Sequence, residues 1–227
     1  MRAPLSIVIP TLNAGDDLPA TADALLGGAT SGLVRELVIS DGGSKDDTLE
    51  IAKELGAVSV TGPAGRGGQL AHGVAASTGE WLLLLHADTH LAEGWARLAH
   101  DHMTEHADKA GWFRLRFRAD GFAPAFIARG ANLRSRYLGL PYGDQGLLIS
   151  RRLLDAVGGV PAMPLMEDVV LARALKGRLR GLDCDALTSA ARYEREGWIK
   201  RTASNLGTLT RFFLGVSPEA LKARYEK

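Results

Sequence analysis

Four short apolar runs, each closed by polar or glycine punctuation and each followed by a helical pattern, fill the first ninety positions of this chain. They are LSIVIP (5–10), ELVISD (36–41), AVSVTG (57–62) and EWLLLLHAD (80–88). The first two, short and β-branched, suit strands buried on both faces of a parallel sheet, and the other two read as a third and a fourth strand. Between them, DDLPATADALLGG (16–28), GGSKDDTLEIAKELG (42–56) and QLAHGVAAS (69–77) carry helical spacing, with cap-type residues before and glycines after the first two. Strands that alternate with helices in this way predict a three-layer α/β/α fold around a mostly parallel central sheet.

The second half is less regular. The patterns predict helices in AEGWARLAHDHMTEH (92–106), APAFIARGANLRSRYLG (123–139), MEDVVLARALKGR (166–178) and GWIKRTASNLGTLTRFFLG (197–215). GWFRLRFRA (111–119) alternates like a strand with one solvated face, and GDQGLLISRRLLDAVGG (143–159) reads as a turn, a short strand and a helix. No repeat, low-complexity tract or linker interrupts the 227 residues. One domain is therefore expected over 1–227, with nucleotide-type chemistry in 1–90 and a specificity half in 91–227.

Composition limits the function classes. A formal net charge of +1, with both signs interspersed, argues against broad electrostatic binding to nucleic acid. Cys184 is the only cysteine, which excludes an intrachain disulfide and fits a buried hydrophobe in a reducing compartment. The first apolar run is too short for a signal-peptide core, and no stretch approaches the 18 or so apolar residues that span a bilayer. The expectation is a cytoplasmic protein with no transmembrane segment, at most peripheral at the inner membrane face.

In open α/β sheets, ligands bind beyond the carboxyl ends of the strands. Those ends here carry Pro10-Thr11-Leu12-Asn13, Asp41-Gly42-Gly43-Ser44, the 62–68 loop and His86-Ala87-Asp88. Asp41 alone reads equally as a turn or cap residue; Asp88 on the same sheet edge adds weight to a ligand role. GPAGRGGQ (62–69) has P-loop glycine spacing but lacks its Lys and Ser/Thr, and the dinucleotide glycine fingerprint is absent after the first strand. Arg66, just before a helix start, is placed to face a diphosphate. His102 and His106, four apart, lack the Glu of a zinc-hydrolase motif and read as a solvated polar face. Glu167-Asp168 heads a helix, where a dipole-complementing pair and a catalytic base are equally consistent with sequence.

In this order and spacing the motifs resemble the family 2 glycosyltransferases with the GT-A fold, over nearly the whole chain. VISDGGSKDDT (38–48) is similar to their VDDGSTDGT nucleotide loop, and GRGGQLAHGVAASTGEWLLLLHADT (65–89) to their Arg-bearing helix and metal-carrying strand. GDQGLLISRRLLDAVGG and MEDVVLARAL resemble their acceptor segment and Glu-Asp base motif. The short length and the His-Ala-Asp variant resemble a small bacterial subgroup of arsenosugar-biosynthesis type. The resemblance implies that Pro10, Thr11, Asn13, Asp41, Gly43, Arg66, Gln69, His86, Ala87 and Asp88 bind the donor, with Asp41 on a uracil-type base. It implies that Asp88 coordinates a divalent cation, Mg²⁺ or Mn²⁺, bridging the donor diphosphate. By the same resemblance Asp168 would act as the base on an acceptor hydroxyl, and Asp144, Gln145, Glu167 and Trp198 would lie on the acceptor side. The implied reaction is inverting transfer from a nucleotide-sugar, UDP favoured, to an acceptor the sequence does not name.

Two departures stand out. His86 occupies a position where that family usually has Asp, and no C-terminal histidine completes a metal site; Arg192, in AARYEREGW, is a further cleft candidate. Two rivals follow. A non-catalytic nucleotide-sugar-binding protein would accommodate His86. A sugar-phosphate nucleotidylyltransferase would need a glycine-rich, basic loop after the first strand, where PTLNAGDDLP stands instead.

Overall fold

The computed structural model describes residues 3–225. Its strands are β1 (Leu5–Thr11), β2 (Val34–Asp41), β3 (Val58–Thr61), β4 (Trp81–Leu84), β5 (Thr89–Leu91), β6 (Ala110–Phe117), β7 (Leu147–Ser150) and β8 (Leu179–Thr188). They form one sheet in the order β3-β2-β1-β4-β7-β6-β8-β5. β1 to β4 pair in parallel, as the alternation requires. β7 runs antiparallel between β4 and β6, β6 and β8 are parallel, and β5 closes the edge antiparallel to β8. The sheet is thus mixed and mostly parallel.

Helices cover both faces. α1 (Leu18–Thr30), α2 (Thr48–Glu54) and α4 (Trp95–Glu105) bury Leu18, Leu25, Ala52, Trp95 and Ala99 against one side of the sheet. α3 (Arg66–Ala76), α6 (Arg151–Ala156) and α7 (Glu167–Ala174) bury Leu70, Leu153, Leu154 and Leu171 against the other. Close approach decides the fit of α3: a Cβ at Gly73 would lie 2.4 Å from Val8 Cγ1, so only glycine lets the helix settle on β1. α5 (Phe122–Leu138), α8 (Ala191–Glu196) and α9 (Trp198–Phe213) surround a third apolar cluster containing Leu115, Phe117 and Ala128. α10 (Pro218–Tyr225) follows. No helix among the described residues is long and apolar enough to cross a membrane.

Four elements escaped the sequence reading: β5, the ten-residue β8, α8 and α10. The histidine expectation also fails for His102, which is 3 % exposed, packs edge-on against Trp81 and hydrogen-bonds the Lys109 carbonyl through Nε2 at 3.1 Å. Burial lowers its pKa, so the neutral ring is a core component rather than part of a solvated face.

Candidate active site

The strand ends build the first wall. Thr11 and Asp41 are register partners at the tips of β1 and β2. Asp41 is fully buried and accepts hydrogen bonds from the Thr11 hydroxyl (3.0 Å), the Ser44 hydroxyl and the backbone N–H groups of Gly43 and Ser44 (both 2.8 Å). Burial pushes its pKa up, but these donors outweigh that and hold it below the usual carboxylate range. Asp41 therefore shapes the loop after β2, with Gly43 at φ +93°. Asn13, itself left-handed at φ +51°, ties the β1 end to that loop through the Lys45 N–H (2.9 Å) and the Ser44 hydroxyl (2.7 Å). Pro10 is buried in β1 and reaches the site only through this framework.

Gln69 does not reach a donor. It is 4 % exposed, its amide donates to the carbonyls of Thr11 (2.7 Å) and Ser40 (2.9 Å), and its oxygen accepts from Gly65 N–H (3.1 Å). It clamps β1, β2 and the α3 start together. Gln145 is likewise withdrawn from any ligand: it is fully buried, accepting from the Ser135 hydroxyl (2.6 Å) and donating to Phe113 O and Asn132 Oδ1 (both 3.2 Å). In both cases every polar atom is already bonded inside the protein, a role that sequence cannot distinguish from ligand binding.

The second wall comes from the turn between β4 and β5. β4 ends at Leu84, and the chain crosses the sheet to pair Thr89 with Thr188 at the far edge. The crossing carries His86, Ala87 and Asp88 over the strand ends; the Ala87 carbonyl accepts from Thr21, and Arg118 donates to the Asp88 carbonyl at 3.3 Å. A cleft then gathers Arg66, His86, Asp88, Asp144 and Asp168. Thr188, Arg192, Tyr193 and Arg201 complete its far side.

Asp168 sits on the first turn of α7 behind Met166, which adopts a left-handed φ of +69°. Its two oxygens accept different backbone donors, Val169 N–H at 2.8 Å and Gly143 N–H at 3.0 Å. Gly143 is also the contact that admits His86, because a Cβ there would fall 2.4 Å from His86 Nε2. The His86 Nε2 atom is buried without a partner, and burial together with the Arg66 charge lowers the pKa to about 3, against a smaller pull from Asp168. His86 is therefore a neutral imidazole.

Glu167 departs from the acceptor-side expectation. It is 2 % exposed, faces the apolar pocket formed by Leu70, Leu84 and Leu171, and meets Arg66 Nε at 3.1 Å through Oε1. Oε2 has no partner, so burial pushes its pKa to about 7 despite the Arg66 charge, with Asp168 adding to the rise. Arg66, expected to face phosphate, thus spans the wall of the cleft and this carboxylate. Trp198 also departs: it stacks on Tyr193 (5.0 Å) and packs edge-on to Phe117 (5.2 Å), behind the cleft rather than in it.

Asp144 is a second carboxyl with a buried, unpartnered oxygen, its Oδ1. Burial raises its pKa to about 6, with Arg134 opposing and the charges of Asp168 and Asp88 reinforcing. Three carboxylates thus share one cleft, yet among the described residues no three His, Cys, Asp or Glu groups converge closely enough to cage a metal. Such a set fits a hard divalent cation that takes most of its ligands from phosphate oxygens and water. Residues missed at the sequence level include Tyr142, Gly143, Arg118, Arg201 and Tyr193. Arg134, stacked 3.4 Å over the Tyr142 ring, holds the turn that presents Gly143 and Asp144.

Comparison with known proteins places this geometry. The model of "Glycosyl transferase family 2" matches residues 6–149, more than half of the chain. A PGL/p-HBAD biosynthesis glycosyltransferase of Mycobacterium bovis is 41 % identical over 101 residues, which cover 41 % of this chain and 39 % of that protein. The chain therefore spans well under half the length of the curated relatives it matches. Among solved structures, S. aureus TarS 1-349 in complex with UDP-GlcNAc aligns with TM-score 0.63 at 17 % identity, over 82 % of this chain and 58 % of that one. Glucosyl-3-phosphoglycerate synthase from Mycobacterium tuberculosis, in complex with Mn²⁺ and UDP-glucose, aligns with TM-score 0.59 at 21 % identity, over 82 % and 71 %. These two likenesses concern the GT-A fold; the family match, carried by the strands and loops that build the cleft, shows that the chain belongs to glycosyl transferase family 2.

Proposed function

We propose that the chain is an inverting glycosyltransferase that moves a sugar from a nucleoside-diphosphate donor, with UDP favoured, to an acceptor hydroxyl. The carrying observation is the convergence, from distant parts of the chain, of Asp168, Asp88 and Arg66 on one cleft, with the loop after β2 packed through Gly42 on Ala64, two residues before Arg66. Asp168 takes the acceptor proton while the acceptor oxygen forms a bond to the anomeric carbon; the bond from that carbon to the diphosphate breaks, and the nucleoside diphosphate leaves with its electron pair. Attack opposite the leaving group inverts the centre.

The backbone donors Gly143 N–H and Val169 N–H orient the Asp168 carboxylate, since they fix both its oxygens. Pro10, Thr11, Asn13, Asp41 and Gly43 form the braced loop that receives the nucleotide, and Ala87 carries the chain past it. Arg66, Arg192 and Arg201 put positive charge along the cleft, where a diphosphate is stabilised. Asp88, with Asp144 nearby, is the group to hold Mg²⁺ or Mn²⁺, and such a cation would neutralise the leaving diphosphate. The Mn²⁺ and UDP-sugar in the solved structures of similar fold support this choice.

A second reading, donor binding without transfer, draws on His86, whose neutral imidazole stands where the family usually has a carboxylate. Incubating the purified protein with UDP-sugars, with and without Mn²⁺, and measuring released UDP separates the two. Metal-stimulated release supports transfer; tight UDP binding with no release at any metal concentration selects the binding protein.

A further inference from the structure

The outer faces of α5 and α9 are unusual for a protein of near-neutral charge. Along α5, Phe122, Phe126, Leu133 and Tyr137 follow i, i+4, i+11 and i+15 and fall in one stripe about 60° wide. Phe122 is 83 % exposed, Phe126 65 % and Tyr137 73 %, and the two phenylalanine rings stack at 5.7 Å in solvent. Arg129 and Arg136 are exposed along the same side of the helix. α9 packs beside α5 and exposes Ile199 (86 %) and Leu206 (57 %) along one side, with Lys200 and Arg211 exposed together about a third of a turn round the helix.

Charge identifies what such a surface fits. Residues 121–138 and 197–216 contain no Asp or Glu, in a chain whose overall balance is +1, and of their six Lys or Arg four are exposed, Arg129, Arg136, Lys200 and Arg211, while Arg201 turns into the cleft and Arg134 lies over Tyr142. The nearest carboxylates in sequence, Asp120 and Glu196, stand outside the two stretches, and Glu196 is engaged by Arg201 at 3.2 Å. Apolar stripes bordered by exposed cations match the headgroup boundary of an anionic bilayer. A two-fold contact with a second copy would instead oppose identical sets of cations.

We propose that the outer faces of α5 and α9 dock the protein on an anionic lipid surface, with the aromatic and aliphatic side chains inserted at the acyl boundary and the arginines and lysine on the headgroups. The inner face of α9, through Arg201, Asn205 and Thr208, lines the cleft. Docking would therefore hold the cleft about one helix diameter, ~10 Å, from the lipid headgroups. The inference does not depend on the transferase reading, because it requires neither donor nor turnover.

The test is co-sedimentation of the full chain with vesicles of pure phosphatidylcholine and of equimolar phosphatidylcholine and phosphatidylglycerol, at low and high salt. Binding to the anionic vesicles, weakened by salt, is expected. Arg129→Gln with Arg136→Gln should reduce partitioning about fivefold per cation removed. Phe122→Ser with Phe126→Ser should reduce it about tenfold or more, while Phe126→Trp retains it. Thermal melts of each variant report whether the fold is kept; all four positions are exposed and outside the cleft. Absence of wild-type binding to the anionic vesicles overturns the proposal, as does binding unchanged in both double variants. A dimer in analytical ultracentrifugation that Phe122→Ser with Phe126→Ser dissolves assigns the face to a second copy and equally overturns it.

Discussion

Replacing Asp168 by Asn tests the base assignment with two separable readouts. The carboxylate accepts from Val169 N–H on one oxygen and from Gly143 N–H on the other. Asparagine has one oxygen, so it can satisfy only one of these donors and must aim an amide N–H₂ at the other. Losing one hydrogen bond to a charged acceptor and leaving a donor facing a donor destabilises by about 1–3 kcal/mol. For a chain of this length that lowers the melting temperature by roughly 2–4 °C per kcal/mol. The catalytic effect is larger and distinct: a group that cannot take the acceptor proton should reduce turnover by about two to four orders of magnitude, at a temperature where the variant is fully folded. Donor binding should hardly change, because the base acts on the acceptor. Calorimetric UDP-sugar affinity, melting curves and initial rates on one preparation resolve all three quantities. A lowered melting point with near-normal turnover would show Asp168 to be a helix-start anchor for the Gly143 turn and refute the reasoning.

Two further perturbations probe the same walls. Gly143→Ala places a methyl group 2.4 Å from His86 Nε2 and 2.9 Å from Cε1, so the ring or the turn must shift; a loss of about 1–3 kcal/mol by thermal melt is expected, with slower turnover because the Asp168 anchor moves too, and a neutral melt would show the pocket to be slack. Glu167, with its pKa raised from 4.5 to about 7, contributes stability that is complete below pH about 4.5 and is lost as pH rises to about 7. Glu167→Gln cannot ionise, so melting temperatures across that window should move in favour of the variant as pH increases, and parallel curves would show that Arg66 keeps Glu167 ionised throughout.

The readable parts of the chain are those where one physical rule acts locally. Continuous apolar runs followed by periodic helices marked β1, β2 and β4, because a strand buried on both faces has little other composition available, whereas β3, largely exposed at the sheet edge, was legible only from its alternation with helices. The Glu167-Asp168 helix start, the Arg66 helix and the His86–Asp88 strand end were each visible as chemistry at an element boundary. β8 was not: LRGLDCDALT mixes charge and glycine because one side of much of it faces solvent, and its place between β6 and β5 is set by pairing with residues far away. That pairing brings Asp88 to Thr188 and closes the cleft, so the sequence names the carboxylate but not its neighbours. Gln69, Gln145 and Glu167 show the same divide from the other side. Their polarity suggests ligands, yet whether a polar side chain meets substrate or the protein's own carbonyls and guanidinium groups depends on burial. Burial is a property of the packed chain: local pattern determines which elements form and where reactive groups sit along them, while only the tertiary contacts decide which of those groups are already satisfied and which remain turned to the cleft.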